Sequence, residues 1–167
     1  MRIHALTACS RPENLTKVGL SLAHAARGHD VHWHVRFDLE REHVGGQAVK
    51  NRLLDEISDG WVWILDDDTL VHPDLFSRAA ECAALTGIEA IVVSQRREDG
   101  DVLLAGRENV RTGSIDIGQA FLRRELVGDE RIPLTYDGDG LFLEKVLAPS
   151  SGVSFVFDVL SLHNALA

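Results

Sequence analysis

Cysteine is scarce: Cys9 and Cys82 are the only two in 167 residues, and their spacing matches no metal-binding pattern. Two cysteines are too few for a disulfide framework and fit reduced thiols in a cytoplasmic protein. Long uncharged apolar runs are missing too, so no segment has the length of a membrane span. The opening Met1-Arg2-Ile3-His4-Ala5 lacks the apolar stretch of a signal peptide. Positive charge is in deficit: 17 Lys and Arg against 26 Asp and Glu give a net charge of −9. Such a surface repels a nucleic-acid backbone. No repeat and no low-complexity tract divides the chain. Its 45% hydrophobic and 26% charged residues are ordinary for a globular protein, and the length suits one domain, 1–167, with a real core. An anionic substrate would need a local offset, either a metal or a few placed basic residues.

What is present centres on Gly60-Trp61-Val62-Trp63-Ile64-Leu65-Asp66-Asp67-Asp68-Thr69. The apolar run is too short for a helix and rich in aromatic and β-branched residues, which predicts a strand buried on both faces. Three carboxylates then repel one another at the edge of a core, a seat for a hard cation that takes oxygen ligands.

Around this strand the pattern alternates. Arg2 to Ala8 reads as a strand, with Ile3, Ala5 and Thr7 on one side. Leu15, Val18, Leu22 and Ala25 follow at helical spacing, with Gly28 as the stop. Val31, Trp33, Val35 and Phe37 mark a second strand, with Asp38 at its carboxyl end. Leu39 to Gln47 reads as a loop, and Val49, Leu53, Leu54 and Ile57 as a helix. Pro73 opens a third helix, and Ala90 to Ser94 is another strand. This β-α-β-α-β-α-β order predicts a largely parallel sheet with helices on both faces.

Later segments are less regular. Asp99-Gly100 predicts a hairpin, Ala105 to Gly113 a mobile loop, and Ser114 to Gly118 a strand. A short helix is expected through Phe121 to Leu126. Asp137-Gly138-Asp139-Gly140 precedes an amphipathic helix, Leu141 to Leu147. Val153 to Val159 is a last strand, with His163 just beyond it.

In open α/β sheets ligands bind outside the carboxyl ends of the strands. Four pieces meet there: Ser10 and Arg11, Asp38, the triplet Asp66-Asp67-Asp68, and Asp137, Asp139 and His163 from the later chain. Together they resemble a nucleotide-sugar glycosyltransferase of the GT-A type, a small form similar to family 2. Lys50-Asn51-Arg52, the buried strand with its acidic triplet, and Pro73-Asp74-Leu75-Phe76 carry the resemblance most specifically. Thr7-Ala8-Cys9-Ser10-Arg11-Pro12 is similar to the family's first nucleotide-binding loop.

The resemblance implies an α/β, Rossmann-like GT-A domain moving a sugar from a nucleoside diphosphate, UDP foremost, to an acceptor hydroxyl. It implies that Asp66 or Asp67 touches the ribose, and that Asp68 binds Mn²⁺ or Mg²⁺ against the diphosphate with His163 completing the set. Thr7, Ser10, Arg11 and Asp38 would surround the nucleoside, and Lys50 would approach it. Asp139, in one motif with Asp137, resembles the base of inverting members. The chemistry agrees: a metal offsets the leaving diphosphate's charge, and a carboxylate takes the acceptor's proton.

Two further classes stand beside this reading. A nucleotidyltransferase of similar fold would carry a glycine-rich loop after the first strand, and Ala8-Cys9-Ser10-Arg11-Pro12 has no glycine. A non-catalytic nucleotide- or sugar-binding module would have no need of an intact acidic triplet. His32 and His34 place two imidazoles on one strand face. With no third ligand near in sequence they read as a solvated or helix-covered face.

Overall fold

The computed structural model describes residues 1–38 and 44–166. The expected loop from Leu39 to Gln47 falls partly outside the described residues, and Gln47 already begins a helix.

One mixed sheet organises the chain. Its strands are β1 (Arg2–Cys9), β2 (Asp30–Phe37), β3 (Trp61–Ile64), β4 (Leu70–Val71), β5 (Ala90–Arg97), β6 (Val102–Leu103), β7 (Ala120–Arg123) and β8 (Val153–His163). The spatial order is β2-β1-β3-β7-β5-β8-β4, and β6 closes the expected hairpin with β5. β1, β2, β3, β5 and β8 run one way; β7 lies antiparallel between β3 and β5, and β4 antiparallel to β8.

Helices cover both faces. α1 (Leu15–Ala25) and α3 (Leu75–Ala83) pack Val18, Leu22, Ala25, Leu75, Phe76 and Ala79 on one side, where Ile3, Ala5, Trp61 and Trp63 point. α2 (Gln47–Glu56) and α5 (Gly138–Leu147) pack Val49, Leu53, Leu54, Phe142, Leu143, Val146 and Leu147 on the other, against Leu6, Val62 and Ile64. All four residues of β3 are therefore buried, as the apolar run predicts. Trp63 stacks on Phe121 at 5.2 Å and meets Phe76 edge-on at 5.8 Å, and its indole N–H donates to the Gly118 carbonyl at 2.7 Å. That bond ties the central strand to the turn before β7.

Four expectations are corrected. The helix through Phe121 to Leu126 is mostly β7; only α4 (Arg124–Val127) is helical. Phe121 and Leu122 serve opposite cores, so a slot between two strands decides the conformation over local preference. Ser114 to Gly118 is a turn leading into a 3₁₀ segment at Ile117–Gln119, not a strand. The third helix starts at Leu75, after Pro73. The loop Ala105 to Gly113 is tethered rather than mobile. Arg107 donates to the carbonyls of Leu147 and Ser150, each at 3.1 Å, and the Thr112 N–H and hydroxyl donate to Glu144 at 2.7 and 2.9 Å.

The last strand also runs on, through His163. Its pairing with β5 starts at Ala90↔Val153, shifts after Val93↔Val156, and resumes at Ser94↔Val159 and Gln95↔Ser161. This bulge carries β8 forward, so that Arg97 faces His163.

Candidate active site

The carboxyl ends of β1, β2 and β3, the start of α2 and α5, and the end of β8 enclose a cleft of about 610 Å³. Among the described residues, six aspartates line it (Asp38, Asp66, Asp67, Asp68, Asp116 and Asp139) against two permanent cations, Arg11 and Lys50.

The acidic triplet splits its work. Asp67 is buried and saturated. Its Oδ2 accepts from the Ser10 and Arg11 backbone N–H groups at 2.6 and 2.8 Å and from the Ser10 hydroxyl at 3.2 Å. Its Oδ1 accepts from Arg11 Nε and Nη2 at 3.0 and 2.7 Å. Charge-assisted, bidentate bonds of this kind are the strong ones, so the loop after β1 is preformed. Asp68 Oδ2 shares the same guanidinium at 2.5 Å, while its Oδ1 is buried with no partner. Burial, then the Asp66 carboxylate, pushes the Asp68 carboxyl up; Arg11 offsets only part of this.

Asp66 turns the other way, to Lys50 Nζ at 2.9 Å, and Asp139 Oδ2 stands 3.8 Å from the same ammonium. Burial opposes charge on Asp66, but Lys50 outweighs it and the carboxyl falls below its ordinary value. Lys50 is only 2% exposed. Burial pulls its proton affinity down, and Asp66 and Asp139 more than reverse that, so it keeps its proton. Asp139 is pushed up to about 6, first by burial, with Lys50 pulling back and Asp66 and Asp116 repelling. Its Oδ1 is buried without a partner.

Asp116 completes this flank and escaped the sequence reading. It caps the 3₁₀ turn: its Oδ1 accepts from the Gly118 N–H at 2.8 Å, and Gln119 Oε1 accepts from the Asp116 N–H at 2.9 Å. Asp116-Ile117-Gly118-Gln119 is a capping-box pattern that the sequence did carry. Burial, then Asp66, raises the Asp116 carboxyl. Asp66, Asp116 and His163 each offer one ligand atom, all within 4.8 Å of one another.

These residues fit a divalent cation. Among the described residues the buried Asp68 Oδ1, Asp139 Oδ1 and His163 Nδ1 have no hydrogen-bond partner, and orphaned buried polar atoms are costly. Carboxylate oxygens with one imidazole nitrogen suit Mn²⁺ or Mg²⁺. Of Asp68, the expected first ligand, Arg11 occupies one oxygen and the other is without a partner among the described residues; Asp66 and Asp116 stand closer to His163 and could hold an ion with it.

Of the other expected site residues, Ser10, Arg11, Asp38 and Lys50 do line the cleft. Thr7 does not. It is fully buried, and its hydroxyl donates to the Leu65 carbonyl at 2.7 Å and accepts from the Trp33 indole at 2.9 Å. Asp137 is exposed and lies in a neighbouring depression with Tyr136 and Asp139. Gly138, between the two aspartates, lets α5 start against the preceding segment, since a Cβ there would lie 2.1 Å from the Pro133 carbonyl oxygen. The buried Gln47 and the exposed Tyr136 also line the cleft and carry no sequence signal for it.

No protein-family model matches the sequence, and no curated protein matches it. Solved structures do. A structure of S. aureus TarS has a TM-score of 0.76 at 16% identity, covering 97% of this chain and 60% of that chain. TarS in complex with UDP-GlcNAc gives 0.73 at 14%, covering 97% and 58%. Drosophila β-1,4-galactosyltransferase 7, in complex with manganese, UDP-Gal and xylobiose, gives 0.59 at 14%, covering 98% and 71%. The chain thus spans about 60% of the TarS chain. At these identities the likeness establishes the fold, that of GT-A glycosyltransferases.

Proposed function

We propose that this chain, over 1–167, is a glycosyltransferase that takes a sugar from a nucleoside diphosphate in the presence of a divalent cation. The observation that carries the reading is the unsaturated flank of the cleft, where Asp139 Oδ1 and His163 Nδ1 are buried without partners among the described residues, beside Asp66 and Asp116. The neighbours solved with UDP-GlcNAc and with manganese and UDP-Gal support the donor class and, within it, a UDP-sugar.

Residue roles follow from position. Ser10, Arg11 and Asp38 hold the nucleoside on the flank that Asp67 preforms. Asp66, Asp116 and His163 would hold Mn²⁺ or Mg²⁺. When bound there, the cation supplies a Lewis acid that offsets the negative charge of the leaving diphosphate. Lys50 fixes Asp66 and stays cationic below the donor. Asp139 takes the proton of the acceptor hydroxyl as its oxygen bonds to the sugar carbon and the sugar–phosphate bond breaks, an inverting displacement. A carboxyl held at about 6 is a better proton acceptor near neutral pH than an ordinary one. Asp137, further out, takes no part. Among the described residues no helix is long and apolar enough to cross a membrane, and the unpaired thiols of Cys9 and Cys82 support a reducing, cytoplasmic setting.

The test is a thermal-shift panel of UDP, GDP, CDP and TDP with and without Mn²⁺. Stabilisation by one nucleotide, dependent on Mn²⁺ and absent in Asp116→Asn, is the expected result; equal stabilisation in the presence of chelator would sink it. Transfer in Asp139→Asn should fall by roughly 10²-fold or more with donor binding intact.

A further inference from the structure

Three histidines lie together on β1 and β2, away from the cleft. His4 and His32 are cross-strand partners, and His34 stands opposite Leu6. From sequence, His32 and His34 lacked a third ligand; β1 supplies one. His4 Nδ1 lies 3.0 Å from His34 Nε2, and the His4 ring stacks on His32 with centroids 5.5 Å apart. The outer nitrogens face carboxylates: His32 Nε2 is 2.8 Å from Asp30 Oδ1, and His4 Nε2 is 3.9 Å from Asp59 Oδ1. Arg2 steadies both acids, at 3.4 and 3.3 Å. His4 Nε2 is buried and makes no hydrogen bond among the described residues.

In metal-bound imidazoles each ring offers one nitrogen to the ion and gives its other N–H to a partner such as a carboxylate, which fixes tautomer and orientation. Here His32 has that bond to Asp30, and Asp59 stands 3.9 Å from His4. Two nitrogens at 2.0–2.1 Å from a tetrahedral zinc stand about 3.3 Å apart. The gap between His4 Nδ1 and His34 Nε2 is already close to that, and a cation would replace the proton now shared between them. With Nε2 on Asp30, His32 has Nδ1 free, and its side chain is 52% exposed, so it can turn toward the pair.

We propose that His4, His32 and His34 form a second cation site, for a borderline transition ion such as Zn²⁺ that prefers imidazole nitrogen. Mg²⁺, which prefers oxygen, is a poor occupant. The cleft lining begins at Ala8 on β1, four residues beyond His4 and so about 13 Å along the strand. The two sites are therefore separate. Asp59 and Gly60 follow α2, and a Cβ on Gly60 would lie 3.4 Å from the His4 ring, so the ion sits near the carboxyl end of α2, where positive charge is favoured. It would pin β1 and β2 beneath the helix that carries Lys50.

The experiment is calorimetric titration of Zn²⁺ into untagged, chelator-stripped protein. Wild type should take two ions. His34→Ala should take one, and so should the cleft double variant Asp116→Asn/His163→Ala. Asp59→Asn should keep the histidine site with affinity lowered about 10–100-fold. His34 is only partly buried, so its loss leaves both cores intact. Wild-type stoichiometry in His34→Ala would overturn the site, as would loss of all Zn²⁺ binding in the cleft double variant. Loss of the cleft ion alone bears on the glycosyltransferase reading and leaves this site standing.

Discussion

On one flank of the cleft Asp67 accepts five hydrogen bonds from Ser10 and Arg11. On the other, Asp139 and His163 each bury a polar atom that has no partner among the described residues. The first flank is saturated by the chain's own donors. The second holds Asp66, Asp116 and Asp139 around the buried ammonium of Lys50, and under the proposed function a cation would complete it. Neighbouring residues of one acidic triplet thus divide: Asp67 is saturated by the loop after β1, and Asp66 turns to Lys50 on the unsaturated side.

The sharpest break of this contrast is Asp67→Ala. It leaves the Arg11 guanidinium to Asp68 alone and strands two backbone N–H groups, and losing a buried ion-pair partner costs about 3–5 kcal/mol. Because the Arg11 side chain is 31% exposed, the lower end is expected, read from urea unfolding; a loss under ~1 kcal/mol would mean the saturated flank is not structural.

Next in size is a pH effect on the other flank. In the cation-free protein the Asp139 carboxyl stands at about 6, above about 3.9 for an unfolded aspartate. Between those values the native chain holds a proton the unfolded chain has released, so the contribution of Asp139 to stability falls as pH rises through that window. The fall is up to ~3 kcal/mol. Stability measured in chelator from about pH 4 to 6 should slope down more steeply in wild type than in Asp139→Asn; identical slopes would remove Asp139 from the unsaturated flank.

Thr7→Val probes the boundary between flank and core. It deletes the bonds to Leu65 and Trp33 and should cost about 1–3 kcal/mol, while nucleotide affinity stays unchanged; weakened binding would return Thr7 to the site.

The smallest effect is a gain. Asp116→Asn keeps the oxygen that accepts from Gly118 but removes one of the clustered charges whose repulsion raises that carboxyl. The melting temperature in chelator should rise slightly while Mn²⁺ no longer adds to it. A drop in chelator would show that Asp116 is structural.

Legibility in the sequence followed the same division. β3, its acidic ending and the β-α alternation around it could be read directly, because buried runs and helical spacing are local signals. β7 could not: Phe121 and Leu122 are strand residues only because β3 and β5 leave a slot between them. Thr7 was placed in the site by resemblance, although its parity with Ile3 and Ala5 already put it on the core side. Asp116 was missed because its capping pattern stands alone, and its approach to Asp66 depends on a Trp63–Gly118 bond made across 55 residues of chain.

The bulge in β8 bears on how such a site changes over evolutionary time. Inserting residues into a strand usually reverses which side chains face inward and ruins the sheet. Here the slack is taken up at Phe157 and Asp158, both exposed, and at the buried Leu160, while pairing with β5 holds before and after. Kept in its first register, the strand would present Leu160, not His163, to Arg97. The histidine of the cleft is therefore delivered by a sliding element, whereas Asp66 is cast into the floor by β3. A lineage could exchange the cleft residue that β8 presents by lengthening or trimming this one segment, trying new side-chain chemistries while the central strand and its acids stay fixed.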